Sequence, residues 1–233
     1  MITDSENDAR VRAAARNNAE WCAALCRAHG ITGETGPYAW TSPRRTPPLY
    51  PDAVTLAPDA SPREIVGRID ASPGASVKDS FATLDLTDEG FEVLFGAEWI
   101  HRAAPEAADP GWEQVRTEGE LARWEDAWAG GEGDGLFPAA LLADEDQLFL
   151  AARDADGEIV AGAIATRGES VAGISNLFAA DGDLDTAWAG CLASLARHWP
   201  GLPVVGYESG DDLAAAVRAG FTPVGGLRIW LRR

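Results

Sequence analysis

Residues 147–233 constrain the fold of this chain more than any other stretch. QLFLAAR (147–153) and EIVAGAIAT (158–166) flank Asp156-Gly157, a dipeptide suited to a tight hairpin turn. VAGISNLFA (171–179) reads as a third strand. A helix over about 185–198 follows, with Trp188, Leu192, Leu195 and Trp199 on one stripe and Pro200-Gly201 as its stop. LPVVGYE (202–208) is an apolar strand of the kind buried between helices. In the closing run YESGDDLAAAVRAGFTPVGGLRIW, a short Ala-rich helix is stopped by Gly220, and Phe221 opens a last strand. Strands that alternate with helices only after an initial hairpin imply an α/β (α+β) fold, with a mixed central sheet flanked by helices.

The earlier residues predict an N-terminal helix and a small α/β unit. Residues 8–29 place Trp21, Leu25 and Ala28 on one helical face, and Gly30 ends it. Residues 30–52 carry five Pro and three Gly, which argues against regular structure, while Tyr38, Trp40 and Tyr50 argue that the segment packs. A short strand (53–56) and a helix over about 62–70, with Ser61 as cap and Pro62 at its first position, come next. Strands are expected near 76–81 and 91–101, the second with Phe91, Val93 and Phe95 on one face. AAPEAADP (103–110) reads as a linker, giving units of 1–103 and 112–233. The second unit opens with a strand at 112–117 and a helix at 118–129 bearing Leu121, Trp124 and Trp128; GGEGDG (130–135) reads as a flexible joint. Each half thus runs strand, helix, paired strands. That faint likeness fits a tandem arrangement, or else an N-terminal extension covering the sheet.

Charge narrows the function. With 19 basic and 37 acidic residues the chain carries −18, and nucleic acid, tRNA included, is disfavoured because its binders need a basic footprint. The surplus suits solubility, or a cationic small-molecule substrate. No run approaches the roughly 20 apolar residues of a membrane span. Three Cys make no disulfide framework, and MITDSENDAR has no targeting character, so a cytoplasmic setting is expected. Nothing in the sequence fixes an oligomeric state.

The order of elements in 147–233, with Gly220-Phe221 ending the last helix, resembles the C-terminal core of the GNAT (general N-acetyltransferase) superfamily. The first unit is similar to an incomplete copy of the same half. The resemblance covers at most about 120 residues and implies acyl transfer from acetyl-CoA or another acyl-CoA to an amine, with backbone on the third strand polarising the thioester carbonyl. It places coenzyme contacts at Asn176, Leu177, Phe178 and Gly182. In the family, backbone N–H groups at a helix start hold the pyrophosphate, the general physics of helix N-termini. Here that turn reads ADGDLDT, and Asp181, Asp183 and Asp185 are cap residues that repel a phosphate. Conventional coenzyme A binding is therefore disfavoured. The family's Tyr, four residues before the helix-ending Gly, is Ala216, which cannot donate a proton. Tyr207 and Glu208, at the strand end just before, are the candidate replacements. The alternative is a GNAT fold without coenzyme A, serving as a small-molecule or protein binding module or running another reaction.

Other polar residues offer a substrate site. Arg44 and Arg45 sit in the aromatic-rich loop. Lys78, Asp79 and Ser80 lie on a strand, where they either line a pocket or guard an edge. With Asn176 they suggest a cleft shared by both halves. Cys22, Cys26 and His29 share a helical face, and His101 is a conceivable fourth ligand, but spacing and count fit no common zinc motif, so no metal is expected. His198 reads as a residue pairing with a helix end. HExxH, P-loop and GxSxG patterns are missing.

Overall fold

The computed structural model describes residues 4–106, 108 and 111–233. By internal contacts it divides into two units, Met1–Trp99 with Val224–Arg233, and Ile100–Pro223.

In the first unit, α1 (Asp4–Ala28) buries Trp21, Cys22, Leu25 and Cys26. The Pro-rich segment is more regular than its composition suggests, for it contributes β1 (Glu34–Thr35) and β2 (Ala39–Thr41). Its turns are held by Asp52, whose carboxylate accepts from the N–H groups of Thr46 and Ser76 and pairs with Arg45 at 2.9 Å. Trp40 is buried, Tyr50 edges onto Trp21, and Tyr38 is exposed. Next come β3 (Ala53–Thr55), α2 (Pro62–Val66), β4 (Ser76–Asp79) and β5 (Phe91–Arg102). α2 begins as its sequence dictates: Ser61 Oγ accepts from Glu64 N, and Pro62 fills the first position, where no N–H is needed. It is shorter than expected because Gly67 caps it. β5 departs from its pattern. Phe91 is buried, but Val93, Leu94 and Phe95 are all exposed, so strand alternation does not describe this part of the chain.

The second unit opens with β6 (Trp112–Gln114) and α3 (Glu118–Trp128). Thr117 and Glu120 form a capping box that starts α3. Then come β7 (Gln147–Arg153), β8 (Ile159–Arg167), β9 (Ala172–Ala179), α4 (Leu184–His198), β10 (Val204–Glu208), α5 (Gly210–Arg218) and β11 (Thr222–Arg232), whose greater part belongs to the first unit. Gly157 takes φ +86° in the β7–β8 hairpin.

The sheets follow from these strands. The first unit has the order β1-β2-β3-β4-β11-β5, with β3 and β4 parallel; the second has β10-β9-β8-β7-β6, with β9 and β10 parallel. The main core of the second unit gathers Leu150, Ala163, Trp188, Leu192, Leu195, Val204 and Phe221, so the predicted α4 stripe is the face that buries. A second cluster centres on Trp124, which meets Phe137, Phe149 and Phe178 edge to face at 5.2–5.6 Å and donates its indole N–H to the Leu150 carbonyl. Gly162 lies directly under Trp124 and Phe178, leaving no room for a β-carbon. GGEGDG is not a loose joint. Glu125, buried on α3, accepts backbone N–H groups from Asp134, Gly135, Leu136 and Phe137, binding the loop to the helix. Among the described residues no helix is long and apolar enough to cross a membrane.

Candidate functional site

The site is built where β9 and β10 part. Ile164 faces Ser175 and Gly162 faces Phe178, so Ala163 stands opposite both Asn176 and Leu177. This is a β-bulge, and Asn176 takes the left-handed conformation it needs, at φ +53°. Asn tolerates that region better than most residues. The extra residue turns β9 away from its parallel neighbour. Pairing with β10 is confined to Val204↔Ala172 and Val205↔Gly173, and Ser175–Ala179 are half-buried instead of fully covered. A strand that bends out of a ladder leaves backbone donors and acceptors for an extended ligand.

β10 brings Tyr207 and Glu208 to the same end of the second unit, both half-buried. Burial, and then Asp212 on the first turn of α5, push the Glu208 carboxyl up to about 8. At neutral pH the acid form predominates, so Glu208 can donate a proton there and accept one slightly above. Ala216 is fully buried in the core and contributes no chemistry.

The turn leading into α4 is closed by its own carboxylates. Asp183 is the cap; its carboxylate accepts from the Thr186 hydroxyl at 2.6 Å and from Thr186 N at 3.1 Å, which hold it below the usual carboxylate range. Asp181 accepts from Asp183 N, and Leu184 N donates to Gly182 O. Gly182 is left-handed, at φ +78°. Asp185 pairs with Arg218 of α5, at 2.8 Å to Nη2 and 2.9 Å to Nε. Donors that a pyrophosphate would take at this helix start are thus given to acceptors of the same turn, Asp183 N and Thr186 N to side chains and Leu184 N to a backbone carbonyl.

Asn176, Leu177, Phe178, Gly182, Tyr207 and Glu208 therefore lie in one unit, on the bulged strand, the turn after it and the facing strand end. Arg44, Arg45, Lys78, Asp79 and Ser80 lie in the other, with partners inside it. Arg44 reaches the Gly30 carbonyl, and Arg45 binds Asp52 and Ser72. Lys78, the only lysine of the chain, is 3 % exposed and donates to Asn18 at 2.8 Å. It guards no edge, because β4 runs between β3 and β11. Asp79 accepts from the N–H groups of Leu84 and Phe81, and burial raises its carboxyl. Ser80 N donates to Thr55, and the Ser80 carbonyl takes the Trp99 indole N–H. All three belong to the core of the first unit.

Burial pushes the Cys22 thiol up to about 11 and the Cys26 thiol up to about 12, so both favour the protonated, non-ligating form. Among the described residues no group of three His, Cys, Asp or Glu is placed to hold a metal ion. His198 lies in the last turn of α4, where burial and then Arg197 and Arg116 lower its pKa, against the charged pairing that its position suggests. A polar Asn inside an apolar strand reads in the sequence as a ligand contact or a bulge residue, and the structure shows the bulge. Glu208 is picked out in the sequence by its place at the strand end alone; its raised carboxyl is what sequence reading missed.

A mixed sheet with a bulged strand parting from its parallel neighbour, backed by two helices, is the architecture of the GNAT acyltransferases. The comparison with solved structures agrees. A GCN5-related N-acetyltransferase from Kribbella flavida is similar over 94% of this chain and 95% of its own, with TM-score 0.62 and 18% identity. A Drosophila protein is similar over 99% and 97%, with TM-score 0.55 and 14% identity. A conserved Staphylococcus epidermidis protein of unknown function is similar over 73% and 75%, with TM-score 0.51 and 12% identity. No family model matches the sequence, and no curated protein matches it. The chain has a GNAT fold in a divergent form.

Proposed function

We propose that this chain is an N-acyltransferase whose reaction runs where β9 and β10 part, with Glu208 as the proton-handling group. The observation that carries this is the carboxyl at the end of β10, raised to about 8, in the same unit as a strand bulged at Asn176. A neutral amine attacks the thioester carbonyl carbon; the C–N bond forms and the C–S bond breaks. Glu208 protonates the departing sulfur and regains a proton from the nitrogen, so the step is balanced and the acid is restored. Its raised pKa is close to that of a free thiol, near which proton transfer is efficient. The net charge of −18 favours a cationic acceptor that loses its proton before attack.

A second reading is kept by one observation. The turn at 180–186 is satisfied by its own carboxylates, which favours a donor held by strand backbone, or a GNAT fold that uses no coenzyme A. Incubation of the protein with acetyl-CoA or S-acetyl-pantetheine, plus a panel of di- and polyamines, separates the two. The acyltransferase reading expects thiol release and an amide product by mass spectrometry, with the two donors bound about equally. Calorimetry should find no micromolar acetyl-CoA site. Stabilisation by S-acetyl-pantetheine alone, without product and without a response to acetyl-CoA, leaves the binding-module reading. Neither stabilisation nor product, with any amine, ends the acyltransferase reading.

A further inference from the structure

The second unit has an open groove of about 800 Å³ that involves none of the residues assigned above to proton transfer or to the bulge. One face of α4 forms part of its wall, with Ala189 and Leu192; Arg102, Glu106, Asp185 and Arg218 are its polar positions among the described residues, and Gly220 packs close to Arg102. The lining is mostly small and apolar, so it suits an aliphatic body.

Its charge is unusual for this part of the chain. Residues 100–223 hold seven Arg, no Lys and 22 acidic residues, a formal sum of 7 − 22 = −15, yet two of the seven Arg line this groove. They are not equivalent. Arg218 is neutralised by Asp185, through two N–H groups, at exposed positions. Arg102 has a buried Nη1 with no hydrogen-bond partner among the described residues. Its guanidinium is held across Gly220, where Nε would stand 3.1 Å from a β-carbon; φ there is +89°, so glycine is required on both counts. A buried guanidinium N–H without an acceptor is costly, and an anion in the groove would remove that cost.

We infer that this groove is a binding site for a small monocarboxylate with an aliphatic body, its carboxylate on Arg102 and its chain along Ala189 and Leu192. The planar fork of Arg matches a carboxylate. Glu106 and Asp185 also line the groove, and they disfavour a dianion such as phosphate.

The test uses the intact chain with hexanoate, methyl hexanoate, hexylamine and inorganic phosphate as separate probes, read by thermal shift and calorimetry. Hexanoate should raise Tm in a saturable manner, and the ester and amine should not. Arg102→Gln should weaken hexanoate binding at least tenfold. Because Arg102→Gln could disturb the fold, Ala189→Trp serves as a second variant: Ala189 is exposed, so the ring fills the groove without entering the core, and it should also abolish the shift. Three results overturn the assignment: no shift with hexanoate at millimolar concentration, a shift unchanged in both variants, or a phosphate response stronger than that of hexanoate.

Discussion

Two glutamates of the second unit show how one side chain serves opposite ends. Glu125 is 4 % exposed on α3, and four consecutive backbone N–H groups of the 134–137 segment converge on its carboxylate at 2.7–3.1 Å. Glu208, at the end of β10, is half-buried with Asp212 as its charged neighbour, and its carboxyl is pushed up to about 8. The first is a buried carboxyl group with four N–H donors supplied, so it organises a loop. The second lies beside a like charge, and its burial favours the protonated form. Burial alone distinguishes neither; what matters is where the donors are. Satisfied carboxylates mark structure, and poorly satisfied ones at a strand end mark candidate chemistry.

The largest expected effect falls on the satisfied partner. Glu125→Ala strands four buried or part-buried N–H groups and should cost about 3–5 kcal/mol, as for other removals of a buried charged hydrogen-bond partner. Denaturant unfolding measures the loss, and hydrogen exchange should show the amides of 134–137 deprotected. A loss below about 1 kcal/mol would mean that the glycine-rich loop holds itself, and the contrast between the two glutamates would fail.

Glu208→Gln sharpens the contrast from the other side. The amide keeps the shape and cannot transfer a proton, so turnover with an active amine should fall roughly 10²–10³-fold while the fold is retained. The acidity of Glu208 also appears in stability. Its folded pKa lies above the usual value, so below about pH 4.5 both states hold the proton and the group costs nothing. As pH rises to about 8 the unfolded chain releases the proton while the folded one retains it, and stability falls. The loss is on the order of 2–3 kcal/mol after discounting for partial exposure. Glu208→Gln should remove that slope, so its advantage over the wild type should grow from pH 5 to pH 8. Parallel curves would place the Glu208 pKa near its ordinary value and remove the basis for the proton-transfer role.

The sequence was more legible for the fold than for the site, for physical reasons. Period-3.6 stripes, such as Trp188/Leu192/Leu195, and the Asp156-Gly157 turn are local signals, so α4 and the β7–β8 hairpin could be placed to within a residue or two. Capping chemistry was equally local at Ser61 and Asp183. Glu125 and GGEGDG could not be connected, because the bonds span nine to twelve residues and depend on tertiary placement. Lys78, Asp79 and Ser80 read as lining a pocket or guarding an edge because their partners Asn18, Leu84 and Thr55 lie far off in sequence or around a turn. The strand expected near 91–101 read with Phe91, Val93 and Phe95 on one face, yet residues 92–96 are all exposed. Tyr207 and Glu208 were singled out by position beside the missing Tyr; the environment that raises Glu208 is a property of the folded chain alone.

The smallest effect tests how that environment is made. Burial comes first among the causes that raise Glu208, and Asp212 second. Asp212→Asn removes the like charge and leaves the burial, so the Glu208 pKa should drop by less than about one pH unit, or ~1 kcal/mol. The acid-to-base transition in the pH–rate profile should then move slightly towards neutrality, with little change in the plateau rate. Added salt should shrink the difference between wild type and variant, because Asp212 is exposed and its field is screened. A transition that collapses into the ordinary carboxylate range would mean that Asp212, and not burial, sets the acidity of Glu208. A transition unmoved by Asp212→Asn, but lost in Glu208→Gln, would assign the effect to burial alone. Either result ranks the two causes that raise Glu208.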